Sequence, residues 1–390
     1  MKSTKLINNF YCILSIVFLL TNCKNLPDEI NEFEIINIID KVYNLDIDSV
    51  FTVESILPLK SNETSIINFI GKVYYVNSGY VLWDNFQNNI YKYDKKGNCL
   101  WKITTKGRGP GEFVHINDIC LDYNEKYLFV LDGMQQRKVL KYSVLSGEFL
   151  TDKKVGFSAV AFHQFCSGDF AFYTGNNRTE NNKTPNCNII LTDSTFQVVK
   201  TGVSFDNKWL GISIKHGNSS FFPIGKDSII FSPQLPEIGD VYLLTTETIK
   251  PFYRFVTQNN HLKPKFREVS VDNAKEWLKE NLVEYNINGF WQQNELLHFY
   301  VHSNENSREI IYNKLNGKCH SRLTNQASKK HAFFSPQSVF GKQAEGLFVN
   351  VLPAYAVVDK KYEVTASLGE VNENDNPILV FYRVNNTTQK

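Results

Sequence analysis

Lys106-Gly107-Arg108-Gly109-Pro110-Gly111-Glu112-Phe113 places three glycines within five positions, interleaved with Arg and Pro. Such a run turns the chain through backbone angles that side chains resist. It separates two segments that read as copies of one β-sheet unit. Tyr80-Val81-Leu82-Trp83-Asp84 matches Leu128-Phe129-Val130-Leu131-Asp132 at an offset of 48, and Ile90-Tyr91-Lys92-Tyr93 matches Val139-Leu140-Lys141-Tyr142 at 49. The turn glycines Gly97 and Gly147 match at 50. An offset that grows by single residues is what fixed strands joined by free loops produce.

A repeat of about 50 residues with several strands per unit has the period of a β-propeller. Phe170–Thr174 with Asn188–Thr192 reads as a third unit, and Ser228–Ser232 with Val241–Leu244 as a fourth. Leu296–Val301, Ile310–Tyr312 and the Asn316-Gly317 turn make a fifth. Gly346–Val351, Tyr355–Val358 and Ile378–Val384 are expected as strands of the last. With a first unit around residues 66–106, the expectation is an all-β, six-bladed propeller. Phe51–Leu57 and Ile378–Val384 are expected to pair in one sheet, fastening the chain ends and covering sheet edges. Ser270–Tyr285 carries Ala274, Trp277, Leu278, Leu282 and Tyr285 at helical spacing, so a short helical insertion is expected at about 270–286, with Asp272 as N-cap.

The N-terminus reads as a secretion signal over residues 1–22. Met1, Lys2 and Lys5 precede the apolar run Cys12–Leu20, which is shorter than the roughly 20 residues of a spanning helix. Leu20-Thr21-Asn22-Cys23 resembles a bacterial lipobox, with Asn22 departing from the usual small residue, and makes Cys23 the expected lipid attachment site. Residues 23–44 then read as a tether and 45–390 as the propeller. Lys24 leans toward the outer rather than the inner membrane; periplasmic or surface exposure stays open. The net charge of +2 lacks the basic excess of a nucleic-acid binder. Aromatic content is 14%, with 29 Phe and 19 Tyr, and helical periodicity is rare, which agrees with many short strands. Beyond Cys12 and Cys23, the five cysteines at 99, 120, 166, 187 and 319 show no zinc spacing and read as isolated thiols.

The lipobox, the glycine connector, the apolar-Asp strand ends and the closing Asn376-Pro377-Ile378-Leu379-Val380-Phe381-Tyr382 together resemble the six-bladed β-propeller lipoproteins of Bacteroidetes, relatives of NHL-type propellers. The resemblance implies architecture and an envelope address, with no settled chemistry.

Several features carry candidate chemistry. Lys106, Gly107, Arg108, Gly109, Pro110, Gly111, Glu112 and Phe113 read either as a structural turn or as an anion cradle of backbone N–H groups. In the structural reading Glu112 accepts from glycine amides and Phe113 anchors between sheets. No Gly-Lys-Ser/Thr follows, so the run is not a P-loop. His298 and His302 fall on one face of an expected strand, ~13 Å apart at about 3.3 Å per residue, too far to share a zinc ion. Asp84, Asp118, Asp132, Asp169 and Asn188 are the available ligands for a calcium-dependent lactonase ring, set against ordinary strand-end hydrogen bonding. Trp83, Trp101, Trp209 and Trp291 are set against ordinary packing as sugar-stacking candidates. The expectation is therefore an envelope-anchored binding scaffold for a glycan, a peptide or an envelope protein, with no cofactor assigned and calcium left open. A metal-dependent hydrolase using the central tunnel is the alternative.

Overall fold

Val81-Leu82-Trp83 and Phe129-Val130-Leu131 are apolar on both strand faces, so they are stable as strands only where both faces are covered. In the computed structural model each is the second strand of an antiparallel meander and is buried along its apolar length. The structure describes residues 32–38, 51–61, 65–177, 186–211, 220–233, 239–257, 268–281, 285–293, 295–302, 307–324, 337–342, 344, 346–358, 362–366 and 368–384. The leader and Cys23 lie outside the described residues.

The described chain enters through β1 (Glu34–Asn37) and β2 (Phe51–Pro58), whose partners come much later. The first complete meander is β3 (Ile70–Val76), β4 (Gly79–Asp84), β5 (Asn89–Tyr93) and β6 (Cys99–Ile103). The next is β7 (Asp118–Leu121), β8 (Tyr127–Asp132), β9 (Lys138–Ser143) and β10 (Phe149–Lys154). Then follow β11 (Ala161–Gln164), β12 (Phe170–Tyr173), β13 (Cys187–Thr192) and β14 (Val198–Ser204). A further sheet holds β15 (Phe221–Pro223), β16 (Ile229–Phe231), β17 (Asp240–Leu244) and β18 (Ile249–Val256), with β1 added in parallel on β18. Helix α1 (Val271–Glu280) precedes β19 (Tyr285–Gln293), β20 (Leu296–His302), β21 (Ser307–Asn313) and β22 (Lys318–Leu323). Last come β23 (Gln337–Phe340), β24 (Leu347–Leu352), helix α2 (Ala354–Val358) and β25 (Ile378–Val384).

β25 pairs antiparallel with β24 on one side and with β2 on the other, from Phe51 opposite Val384 to Pro58 opposite Ile378, with a one-residue register shift between Val53 and Ser55. The two ends of the body are thus joined in one sheet, as the sequence predicts. First strands also neighbour one another in turn. β7 lies beside β11, β11 beside β15, β15 beside β19, and β19 beside β23. β23 pairs in parallel with β3, through Val339 opposite Val73 and Phe340 opposite Tyr74. Apolar side chains collect between successive meanders: Phe222 and Phe255 meet Phe290 and Phe299, and Val73 and Leu82 meet Val349 and Phe381.

Three expectations are corrected. Residues 23–44 do not all read as a tether, because β1 docks within them; the alternation of Glu34-Ile35-Ile36-Asn37 buries Ile36, and Ile38 beyond it is sealed, while Ile35 faces out. Tyr355–Val358 is not a strand but most of α2, since Ala354 and Val357 are buried three apart and Tyr355 is exposed, a helical period. α1 is shorter than expected, with Ser270 at the N-cap position and Asp272 inside the first turn, where a carboxylate favours the positive helix end. Tyr285 belongs to β19.

Two truncations separate the closing pair from the added strand. Deleting Ile378–Val384 is expected to abolish the cooperative thermal transition. Deleting through Ile38 keeps it, at a loss of about 3–6 kcal/mol from two buried isoleucines. Circular dichroism melts and denaturant titrations read both, and a cooperative melt without β25 at the full-length temperature would refute the closure.

Candidate functional site

The connector at Lys106–Phe113 is held by its own side chains and by the following meander. Glu112 Oε2 accepts from the Gly109 N–H at 2.8 Å, and its carboxylate occupies the space a Cβ on Gly107 would need. Gln136 Nε2 and Lys138 Nζ donate to the Gly107 and Gly109 carbonyls, and the Tyr142 hydroxyl to that of Gly111. Phe113 is fully buried between sheets. Lys106, Arg108 and Pro110 are exposed. The amide cradle is therefore occupied by the chain's own carboxylate, and the loop clasps one meander to the next.

The acidic and amide candidates do not converge on a metal. Asp84 accepts four backbone N–H groups, from Asn68, Phe69, Phe86 and Gln87, and Asp132 takes the matching positions Val114, His115 and Gln136. Asn188 pairs with Asn176, and Asp169 with Ser167. Among the described residues no group of three or more His, Cys, Asp or Glu side chains is placed to hold a metal ion. No described helix is long and apolar enough to cross a membrane.

Asp118 has a different role. Its Oδ1 is 2.9 Å from Lys72 Nζ, and both side chains are almost wholly buried. Lys72 also donates to the Ile119 carbonyl at 2.9 Å, Tyr74 hydroxyl donates to the same oxygen, and Asp118 Oδ2 accepts from the Phe162 N–H. One ion pair thus pins β3, β7 and β11 together. His298 and His302 lie on β20, as expected. His298 Nε2 meets Glu309 Oε1 at 2.8 Å, while Arg322 Nε donates to Oε2 at 2.6 Å and the Tyr300 hydroxyl to Oε1. Burial pushes the Glu309 carboxyl up, but the hydrogen bonds and charges of His298 and Arg322 prevail and hold its pKa below the usual value.

Above the Lys72 pin lies a depression that sequence reasoning missed. A cavity of about 410 Å³ and an adjoining one of about 150 Å³ share Tyr123, Pro223, Gly225, Lys226, Phe340, Gly341 and Lys342 in their walls. First strands supply further wall residues, Tyr74 from β3, Leu121 from β7, His163 from β11, and Phe290 and Trp291 from β19, while Leu347 and Phe348 come from β24. Tyr74 and Phe340 pack at 5.4 Å between ring centroids, and the Lys72 ammonium sits 5.0 Å from the Phe340 ring. Enclosure, with the Lys72 charge nearby, pushes the His163 imidazole down to about 3, so it is neutral at physiological pH. Of the four Trp candidates, only Trp291 lines the depression. Trp83 and Trp209 are packed away, and Trp101 lies under the Gly147 turn. In the second meander the connector precedes β7 and Tyr123 follows it, so connector and depression lie at opposite ends of that strand.

Residues 32–383 match the domain of unknown function DUF4934. The chain belongs to that family. Among solved structures, the DUF4934 chain is similar to a protein of Bacteroides fragilis assigned as exported, at 18% identity and a TM-score of 0.74, over 90% of this chain and 100% of that one. That likeness is one of fold. More distant are a DUF4221 family member from Bacteroides vulgatus (9% identity, TM-score 0.48, 86% and 98% covered) and BamB from Moraxella catarrhalis (10%, 0.40, 86% and 98%). No curated protein matches the chain. The fold of this DUF4934 member is all-β and propeller-like, a succession of antiparallel sheets.

Two measurements test the buried pairs. Asp118→Asn leaves the Lys72 ammonium unpaired and is expected to cost about 3–5 kcal/mol in denaturant unfolding, with much of it recovered in the Lys72→Met/Asp118→Leu double variant; an unchanged midpoint would remove the pin. For Glu309 the folded pKa is depressed, so its stabilisation is complete above the unfolded value of about 4.3 and fades as pH falls through the lower folded one. Glu309→Gln should flatten the acid limb of the melting-temperature profile, and an unaltered limb counts against the assignment.

Proposed function

We propose that this chain is an exported, lipid-tethered six-bladed β-propeller, of the NHL-like type, that binds a ligand at the mouth of its axis. The count of six is supported by five continuous four-stranded meanders, four before α1, the last of them carrying β1 on β18, and one after it. β3–β6, β7–β10, β11–β14, β15–β18 and β19–β22 are the five continuous blades, and β23, β24, β25 and β2 make the sixth from both ends. Cys23 is the proposed lipid attachment site, residues 1–22 the signal, and the outer membrane the address. The lipobox-like Leu20-Thr21-Asn22-Cys23 and Lys24 support these.

The observation that carries the binding role is the gathering of side chains from the first strand of every blade around one aromatic-lined depression. Concave, mostly apolar sites with a few polar groups are where small ligands bind. A rigid sheet frame holds the walls, and turns such as Tyr123 and Gly225-Lys226 present them, as loops on a scaffold commonly do. The ligand is a glycan, a peptide or a segment of an envelope protein.

The test is a calorimetric screen of the purified full chain against oligosaccharides and peptides. Any ligand found is expected to lose at least about tenfold in affinity on Tyr123→Ala and nothing on Arg108→Ala at the far end. The reverse pattern would move the site to the connector and sink the reading. In cells, Cys23→Ser should abolish labelling by a palmitate analogue and release the chain from membranes; an unlabelled native chain would remove the tether.

A further inference from the structure

The charges of the depression define its ligand more narrowly. Lys226 and Lys342 stand exposed on its rim, and neither ammonium has a carboxylate partner among the described residues. Lys342 Nζ instead lies 4.0 Å from the centroid of the Tyr123 ring. The two carboxylates in the wall of the smaller cavity are engaged by the main chain. Asp122 accepts from the N–H groups of Lys126 and Tyr127 at 2.7 and 2.6 Å, and Glu125 from those of Lys342 and Asn77 at 3.1 and 3.4 Å. The described lining of the larger cavity holds two ammonium groups and no carboxylate. Below, Lys72 is already neutralised by Asp118. His163 is neutral and makes no hydrogen bond among the described residues, so its ring nitrogens are open to a ligand hydroxyl.

We infer that the depression takes the acidic end of a carbohydrate, a uronic-acid-type sugar whose carboxylate meets Lys226 and Lys342 while its C–H face lies on Tyr123, Trp291 and Phe340. This rests on the mouth being the binding site. A pyranose ring with an apolar patch of C–H groups on one face and one negative substituent is complementary to aromatic walls under a cationic rim. A neutral sugar leaves both ammonium groups unused, and a purely apolar molecule leaves the His163 nitrogens without a partner. Because both lysines are solvated, the discrimination is moderate and salt-sensitive.

The probe is a short oligogalacturonate and its methyl ester, which removes the charge and little else. Calorimetry on the full chain should show the acid binding at least about tenfold tighter than the ester at low salt. The preference should shrink at 0.5 M salt and vanish in the Lys226→Gln/Lys342→Gln variant, whose melting temperature stays at that of the native chain. Equal affinity for acid and ester overturns the charge assignment; if Tyr123→Ala still weakens both, the mouth remains the site. An acid preference untouched by either the lysine or the Tyr123 changes overturns the inference and the mouth together. No binding of either sugar at millimolar concentration overturns the carbohydrate assignment.

Discussion

Pairing between β2 and β25 is what lets every other sheet keep its neighbours. A meander has two faces, and each here is covered by the meander beside it, so the succession is stable only if its first and last members also meet. The last sheet supplies that contact with three strands from the C-terminal part and one from the N-terminal part. Its residues Val349, Leu379 and Phe381 then cover Val73 and Leu82 on one side, while Phe348, Val380 and Tyr382 face Leu296 and Ile311 on the other. Opening this one ladder would expose both apolar layers at once. The Lys72–Asp118 pair works in the same direction where β3, β7 and β11 meet, since burial there is too complete for either charge to be tolerated alone.

The connector shows how local chemistry was readable. Three glycines, a glutamate and a phenylalanine in that order leave two readings, an anion cradle or a turn folded on its own carboxylate; in the structure Glu112 accepts from the Gly109 N–H and Phe113 is buried between sheets. The recurrence of Asp84 and Asp132 was readable for the same reason, since a carboxylate at a strand end repeatedly organises the loops around it. Closure by Phe51–Leu57 and Ile378–Val384 followed from two strand-like ends and the need to protect edges. In each case the signal is contiguous or periodic.

What escaped was neither. The walls of the depression come in runs of one to five residues from strands and turns spread between Tyr74 and Phe348, so no window of sequence contains the site. One trace was present: Gly225-Lys226 and Gly341-Lys342 repeat a dipeptide just past the ends of two first strands, β15 and β23. β1 was too short to stand out from a polar lead-in, and only the sealed positions of Ile36 and Ile38 explain it. In α2, a five-residue apolar run carried too few positions for its period to be told from that of a strand.

β1 also decides how the body would respond to a pull. Tension travelling along the chain from its N-terminal side arrives first at Glu34–Asn37, a four-residue ladder on the outer edge of β18. Twelve residues, 39–50, separate that ladder from β2 in sequence, a chain whose full reach is at most about 40 Å at roughly 3.5 Å per residue. Losing the β1–β18 ladder alone would leave every β2–β25 pair in place, so the outer edge can open without opening the closing sheet. Under tension from that side, such a short peripheral ladder would serve as a mechanical fuse for the sheet that closes the body.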